Sequence, residues 1–320
     1  MAVIMDWHHC LHRNVGMKKA QVIENYNMVA HMMLSMVASE INKFGASLKN
    51  PLIIATDSKP YWRSKYYDDH KQDFPEYYDS KKEAWKTYKG NRTKDPDINW
   101  KEVTRVSNFV LKTLDLFTDV NVINIPTAEA DDIIYVTSKY YNDNGQPVII
   151  VTSDKDMVQC QISGKIEIYD PIKQLYVPET DKERFVKMHL MMGDKGDNIL
   201  AIKPKLGPET AKKLYDTLEA TLLTNPDMKN RYEFNRVMID FRHIPPDLQQ
   251  QIVARVQEPH INYHAMNFLK CLRRIECREI ANNIQRFKFT EHESKTILNA
   301  ILQPTTKDFN DRILSKFFED

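Results

Sequence analysis

The stretch from Val148 to Asp156 reads Val-Ile-Ile-Val-Thr-Ser-Asp-Lys-Asp, a short run of β-branched apolar residues that ends in two carboxylates. Its length and composition predict a buried β-strand that is covered on both faces. Two further stretches have the same form, since Val3–Met5 runs into Asp6 and Leu52–Thr56 runs into Asp57. Ligands of open parallel sheets bind beyond the carboxyl ends of the strands, so these acids indicate a functional site at one sheet edge.

Amphipathic helices are predicted between these strands. Apolar residues recur at spacings of three and four from Val29 to Ile41 and from Val103 to Phe117. A fourth apolar run, Val122–Ile125, leads toward Glu129. This alternation of strand and helix predicts an α/β fold with a central, mostly parallel sheet flanked by helices.

The composition is that of a soluble protein with a sizeable core. The 320 residues are 42% hydrophobic and 28% charged, with a net charge of +1, and no apolar run approaches the roughly 18 residues that cross a membrane. No secretory leader is visible before Asp6. The four cysteines lack zinc-site spacing, and His8, His9 and His12 suit packing or strand contact better than zinc binding.

Helical patterns dominate the second half of the chain, where strand signals fade. This change predicts three regions, and a chain of this length has room for a main domain and a smaller partner. The predicted regions are an α/β domain at residues 1–190, a smaller helical domain at residues 191–303 and a tail at residues 304–320.

The strongest signal is a set of nine acidic residues that stand singly or in tight pairs. Hard cations such as Mg²⁺ take oxygen ligands, and carboxylates that converge from several strand ends would form their cage. Two such ions roughly 4 Å apart would stabilise the attacking and leaving oxygens of a phosphodiester displacement. For each acid taken singly, capping of the following helix is the alternative explanation. The predicted metal ligands are Asp6, Asp57, Glu129, Asp131, Asp132, Asp154, Asp156, Asp194 and Asp197.

Six motifs, in order along residues 1–215, resemble the 5′ nuclease, or flap endonuclease, family. They are the segments 4–13, 57–63, 88–92, 129–132, 152–156 and 193–198. The resemblance implies a PIN-like 5′ nuclease fold with a helical arch and a helix-hairpin-helix, and two Mg²⁺ ions for which Mn²⁺ can substitute. It places Asp6, Asp57, Glu129, Asp131 and Asp154 around the first ion and Asp156, Asp194 and Asp197 near the second. It also implies catalytic roles for Asp131, Asp154, Lys89 and Arg92.

Two segments carry the predicted contacts with nucleic acid. Residues 60–93 correspond to the family's helical arch, where cations track a single strand and aromatic rings stack on its bases; a solvated helix pair is the alternative. Residues 203–213 resemble the helix-hairpin-helix, which presents backbone N–H groups to a duplex phosphate; a plain helix–helix turn is the alternative. The predicted contacts are Arg63, Lys65, Tyr88, Lys89, Arg92, Lys205, Gly207, Thr210, Lys212 and Lys213.

The C-terminal residues Leu314, Phe317 and Phe318 have the spacing of peptides that dock on sliding clamps, although a terminal helix packed on its own body would use the same residues. The resemblance implies a monomeric 5′ to 3′ exonuclease and flap endonuclease acting on duplex DNA, RNA–DNA hybrids and flaps. Its phage members imply removal of RNA primers in the cytoplasm of an infected bacterium, with a sliding clamp and a single-stranded-DNA-binding protein as partners. The alternatives are a PIN-type ribonuclease of single-stranded RNA and a non-catalytic junction-binding protein.

Overall fold

The structure is a computed structural model that describes residues 1–287 except Leu48 and residues 261–263. The strands are β1 Ala2–Asp6, β2 Leu52–Thr56, β3 Tyr78–Asp79, β4 Ala84–Trp85, β5 Asn121–Asn124, β6 Val148–Val151, β7 Ile166–Asp170 and β8 Leu175–Tyr176. The helices are α1 Trp7–Met17, α2 Lys19–Glu24, α3 Asn27–Phe44, α4 Trp62–His70, α5 Trp100–Phe117, α6 Ala130–Asp143, α7 Lys182–Met192, α8 Pro208–Tyr215, α9 Leu218–Thr224, α10 Pro226–Ile239, α11 Pro246–Gln257, α12 Ala265–Arg274 and α13 Arg278–Asn282. In the described part of the chain, no helix is long and apolar enough to span a membrane.

Six strands form one sheet in the order β5-β2-β1-β6-β7-β8. All neighbours pair in parallel except β8, which is antiparallel to β7. The predicted mostly parallel sheet is therefore confirmed, and all four predicted strands lie in it. The sequence did not reveal β7 and β8: β7 carries the exposed Glu167 within a short run, and β8 has only two residues, both exposed.

Successive residues of the central strands point to opposite faces of the sheet, and helices cover both faces. Val3 and Met5 of β1 pack with α1, α3, α5 and α12. Ala2 and Ile4 of the same strand pack with α6 and α11 on the other face. Every residue of β1 is buried, which explains why this strand is apolar without interruption.

The helices after residue 190 do not form one separate body. Helices α7 to α10 pack together around two smaller cores. In contrast, α11 packs on α6, and α12 packs on α5 against the sheet. The predicted helical domain at residues 191–303 is therefore wrong in its extent, because apolar faces far along the chain return to cover the sheet. The predicted tail, with Leu314, Phe317 and Phe318, lies outside the described residues.

The segment at residues 60–93 is helical only in its first part. After α4 it continues through two short 3-10 turns and the β3–β4 hairpin. Phe74 and Tyr77 are buried beside Phe234 of α10, with ring centroids 5.2 and 5.8 Å from it. These aromatic contacts hold the chain after His70 in place, and the correspondence of residues 60–93 to the family's helical arch stays a prediction.

The central strand β1 should be sensitive to loss of side-chain volume. Ile4 is fully buried between the sheet and α6, and replacement by alanine removes apolar contacts and leaves a cavity. We expect Ile4→Ala to lower the free energy of unfolding by about 2–5 kcal/mol, measured by urea denaturation. Leu223, which is 80% exposed on α9, provides the control, since Leu223→Ala should change it by less than about 0.5 kcal/mol. Equal effects of the two variants would contradict the described core.

Candidate functional site

Three acids lie at the carboxyl ends of adjacent parallel strands, as predicted. Asp6 ends β1, Asp57 follows β2, and Asp154 lies shortly beyond β6. Asp6 accepts the backbone N–H of His9 at 3.1 Å, and Asp57 accepts that of Ala130 at 2.8 Å. Asp6 therefore caps α1, the helix that follows it, whereas Asp57 contacts the first residue of α6. A carboxylate has about four lone-pair directions, so capping leaves each of them able to bind a cation as well.

The start of α1 supplies two histidines to these acids. His8 Nδ1 lies 3.6 Å from Asp57 Oδ2, and His9 Nδ1 lies 3.4 Å from Asp154 Oδ2. Burial alone would lower the pKa of His9, but the carboxylates of Asp154 and Asp6 raise it above its usual value. The sequence indicated packing or strand contact for these side chains and did not reveal that they partner the acids.

Asp131 adds a further carboxylate from the first turn of α6. Burial raises the pKa of Asp131 well above its usual value, and the charges of Asp154 and Asp6 raise it further. Burial also raises the pKa of Asp6 to about 6, where the charges of Asp154 and Asp57 act against the opposing effect of His9. Buried like charges are stable as anions only beside a cation. The donor set therefore fits a hard divalent ion.

Arg63 is buried between two acids at the start of α6. Its Nη1 lies 2.7 Å from both Glu129 Oε2 and Asp132 Oδ1, and its Nε donates to the carbonyl of Met238. Asp132 also accepts from Trp62 Nε1 at 2.9 Å and from the N–H of Glu129 at 3.0 Å. Both oxygens of Asp132 thus accept hydrogen bonds within the protein, and Arg63 is 2% exposed. Metal binding by Asp132 and nucleic-acid contact by Arg63 stay predictions.

A second group of possible metal ligands includes a histidine that the sequence did not indicate. His189 Nδ1 lies 3.6 Å from Asp156 Oδ1, and its Nε2 lies 3.4 Å from Asp194 Oδ2. The three side chains offer ligand atoms within 4.8 Å of one another. Burial raises the pKa of Asp156 to about 6. Burial would also raise the pKa of Asp194, but contact with His189 lowers it to about 2.

The main partners of the Asp197 carboxylate are Lys89 and Arg92, the two cations that were predicted to contact a substrate phosphate. Its carboxylate pairs with Arg92, lies 3.8 Å from Lys89 Nζ and accepts the Tyr88 hydroxyl at 3.1 Å. Lys89 also pairs with Glu129. Burial would lower the pKa of Lys89, but Glu129 and Asp197 raise it above its usual value. The 88–92 turn thus lies against the acids and keeps Lys89 charged beside them.

A groove of about 1500 Å³ lies between the 73–91 segment and the α7–α10 helices. Lys205 and Gly207, both predicted contacts, lie in its wall, and Lys205 has a φ of 58°, in the left-handed region that favours glycine. The remaining predicted contacts are exposed side chains on α8 and α4: Thr210, Lys212, Lys213 and Lys65. Their contact with nucleic acid stays a prediction.

Comparison with known proteins points to one class. The family profile described as 5′-3′ exonuclease, N-terminal resolvase-like domain, matches residues 72–189. The chain is 25% identical over 250 residues to ribonuclease H of Enterobacteria phage T4, across 72% of this chain and 77% of that protein. It is 29% identical over 219 residues to DNA polymerase I of Rhizobium leguminosarum, across 60% of this chain and 20% of that protein. The fold of this chain matches the crystal structure of bacteriophage T5 D15 flap endonuclease with DNA and metal ions. The TM-score is 0.55 and the identity 15%, across 86% of this chain and 99% of the T5 chain.

The sheet, its acid-lined edge and these matches define a hydrolase of the nuclease class. More specifically, residues 72–189 match the profile of the N-terminal domain of the 5′-3′ exonucleases, and the resemblance of the chain to the 5′ nuclease family is confirmed in sequence and in fold.

Arg63 should contribute strongly to stability, because its removal leaves the buried Asp132 without its cationic partner and Glu129 with Lys89 alone. We expect Arg63→Leu to lower the free energy of unfolding by about 3–5 kcal/mol, measured by urea denaturation at neutral pH. Lys65 lies on the same helix, and its exposed ion pair with Asp69 provides the control. Lys65→Gln should cost less than about 1 kcal/mol. Similar small losses in both variants would contradict a buried role for Arg63.

Proposed function

We propose that this chain is a structure-specific 5′ to 3′ exonuclease and flap endonuclease. It hydrolyses phosphodiester bonds near 5′ ends in duplex DNA, RNA–DNA hybrids and flaps, and it removes RNA primers during phage DNA replication. The observation that carries this proposal is the group of acids at one edge of the sheet, where Asp6, Asp57 and Asp154 follow β1, β2 and β6 and Asp131 begins α6, close enough for their charges to act on one another. Capping alone does not require so many carboxylates to meet in one place.

The chain's own residues suit this reaction. Asp6, Asp131 and Asp154 would hold a first Mg²⁺ ion, and Asp156 and Asp194 would face a second divalent ion. When bound, the ions would activate water and neutralise charge on the phosphate. Lys89 and Arg92 already lie against the acids, so they would be positioned to meet a phosphate that approaches the ions.

The proposed substrates follow from the relatives and from the groove. The phage T4 relative is a ribonuclease H, and the T5 flap endonuclease was crystallised with DNA and metal ions. In this chain the groove is lined by Lys86, Lys195, Lys203 and Lys205, together with the acids Asp73, Glu76 and Asp227. The lysines could contact a phosphate backbone without regard to base sequence.

Cleavage should depend on the acids at the strand ends. Asp154→Asn removes a charge that would bind the metal but keeps the size of the side chain. We expect it to reduce the cleavage rate by at least about a hundredfold while binding to a flapped duplex stays measurable. The assay maps products from 5′-labelled nicked, flapped and RNA-primed duplexes with and without Mg²⁺.

The matched control is Asp143→Asn, which alters an exposed acid that pairs with Lys139 on α6 and should cleave at the wild-type rate. Full activity of Asp154→Asn would refute the proposed site. Cleavage of single-stranded RNA alone would favour a PIN-type ribonuclease. Absence of cleavage with any divalent ion would favour a junction-binding protein.

The groove lysines should contribute a salt-dependent part of substrate binding. We expect Lys205→Ala to weaken duplex binding for all sequences and to reduce the slope of log K against log salt by about one, because one phosphate contact is lost. The measurement is fluorescence anisotropy on two unrelated duplexes at several salt concentrations. Lys139, exposed on α6 and outside the groove wall, is the control, and an equal change in Lys139→Ala would contradict a binding role for the groove.

A further inference from the structure

We propose that His189 is a metal ligand, that its Nδ1 and Asp156 Oδ1 bind one ion, and that this position prefers borderline ions such as Zn²⁺ over Mg²⁺. The inference rests on the proposed metal-dependent function and deepens it, since it assigns a nitrogen ligand to one of the two metal positions. It also gives a role to a histidine for which the sequence indicated none.

The two proposed ligand atoms are buried and lack hydrogen bonds. Within the described part of the chain, His189 Nδ1 and Asp156 Oδ1 are among the buried side-chain atoms that have no hydrogen-bond partner. The His189 side chain is 8% exposed, and the Asp156 side chain is 22% exposed. A buried polar atom without a partner costs about 1–3 kcal/mol, so two facing atoms in this condition indicate that something binds between them.

Their separation suits a shared ion. The two atoms are 3.6 Å apart, which is longer than a good hydrogen bond. Two ligands that are each about 2.1 Å from one ion, at a tetrahedral angle, are about 3.4 Å apart. An ion at this position would therefore require little movement of either side chain.

Asp194 holds the imidazole in the orientation that binding needs. Asp194 Oδ1 accepts the backbone N–H groups of Gly196 and Asp197 at 2.7 and 3.3 Å. Its Oδ2 lies 3.4 Å from His189 Nε2. A metal-bound histidine usually donates its other ring N–H to a carboxylate or carbonyl, which fixes the tautomer and the ring orientation. With Nε2 engaged in this way, Nδ1 carries the lone pair that faces Asp156.

Space for an ion is present next to these atoms. A cavity of about 30 Å³ is lined by Asp131, Asp156, His189, Asp194 and Asp197, among other residues. A cavity needs about 10–15 Å³ to hold one water-sized sphere. The cavity thus has room for an ion and an attached water, and three of its walls are carboxylates that would complete the coordination.

The ligand set determines which ion the position prefers. Mg²⁺ takes oxygen ligands in near-ideal octahedral geometry and gives up its waters reluctantly. Imidazole nitrogen suits Zn²⁺ and other later transition metals. A position with one imidazole and several carboxylates should therefore bind Zn²⁺ more tightly than Mg²⁺.

The test follows His189 directly in the full-length, metal-free protein. Histidine-selective ¹⁵N labelling reports on each ring nitrogen while Zn²⁺ or Mg²⁺ is added. The His189 Nδ1 resonance is identified by its absence from the spectrum of His189→Gln. We expect Zn²⁺ to shift this resonance in the wild-type protein and Mg²⁺ to leave it unchanged. By calorimetry, His189→Gln should weaken Zn²⁺ binding at one site at least about tenfold and change Mg²⁺ binding less than about twofold.

His9→Gln is the matched control, because His9 also contacts an acid of the site, but its Nε2 already meets Ser153 Oγ at 2.7 Å. The His189 response to Zn²⁺ should persist in this variant. A His189 resonance that does not move with Zn²⁺ in the wild-type chain would overturn the inference, whether or not His189→Gln folds. That result would leave cleavage intact, whereas a chain that shows the shift but cuts no substrate would refute the proposed function and keep this inference.

Discussion

Electrostatic repulsion among buried carboxylates at one edge of the sheet is the constraint on which the rest of this structure depends. Parallel strands end on the same edge, so acids that follow β1, β2 and β6 must come together there. Burial is the main cause of the raised pKa values of Asp6 and Asp131, and the charges of neighbouring acids raise them further. A fold that brings such groups together must supply positive charge, from its own side chains or from bound ions.

The protein divides this task between residues with different roles. Arg63 has a structural role, because it is buried and pairs with Glu129 and Asp132. Lys89 provides positive charge at the site, because it lies on the 88–92 turn and pairs with Glu129 and Asp197. Arg63 holds the start of α6 in place, and this fixes the backbone from which Asp131 points into the site.

Helix capping and metal binding are compatible roles for these acids. Asp6 caps α1, Asp57 accepts the N–H of Ala130 at the start of α6, and Asp154 caps the short turn that follows it. Backbone N–H groups at these positions favour negative charge. These bonds fix the carboxylates in position and leave lone pairs with which a hard cation could be bound.

The sequence by itself determined the sheet and most of the acid set. Short β-branched runs such as Val148–Val151 are buried on both faces, and the acid that follows each run lies at a strand end by the local geometry of the chain. These are properties of neighbouring residues, so they can be read from order and spacing. For the same reason the paired acids at the start of α6 were recognised, although their separate roles were not.

Only the tertiary structure decided which charged groups face the site and which face each other. By residue type, Asp132 could be a metal ligand and Arg63 could contact nucleic acid. In the structure they are buried together, because Arg63 of α4 pairs with Asp132 at the start of α6. The sequence did not indicate His189 as a possible metal ligand. Its position beside Asp156 follows from the packing of α7 against the 154–160 turn. Such contacts join segments that are far apart in the chain, and side-chain direction and burial, which decide their chemistry, depend on that packing.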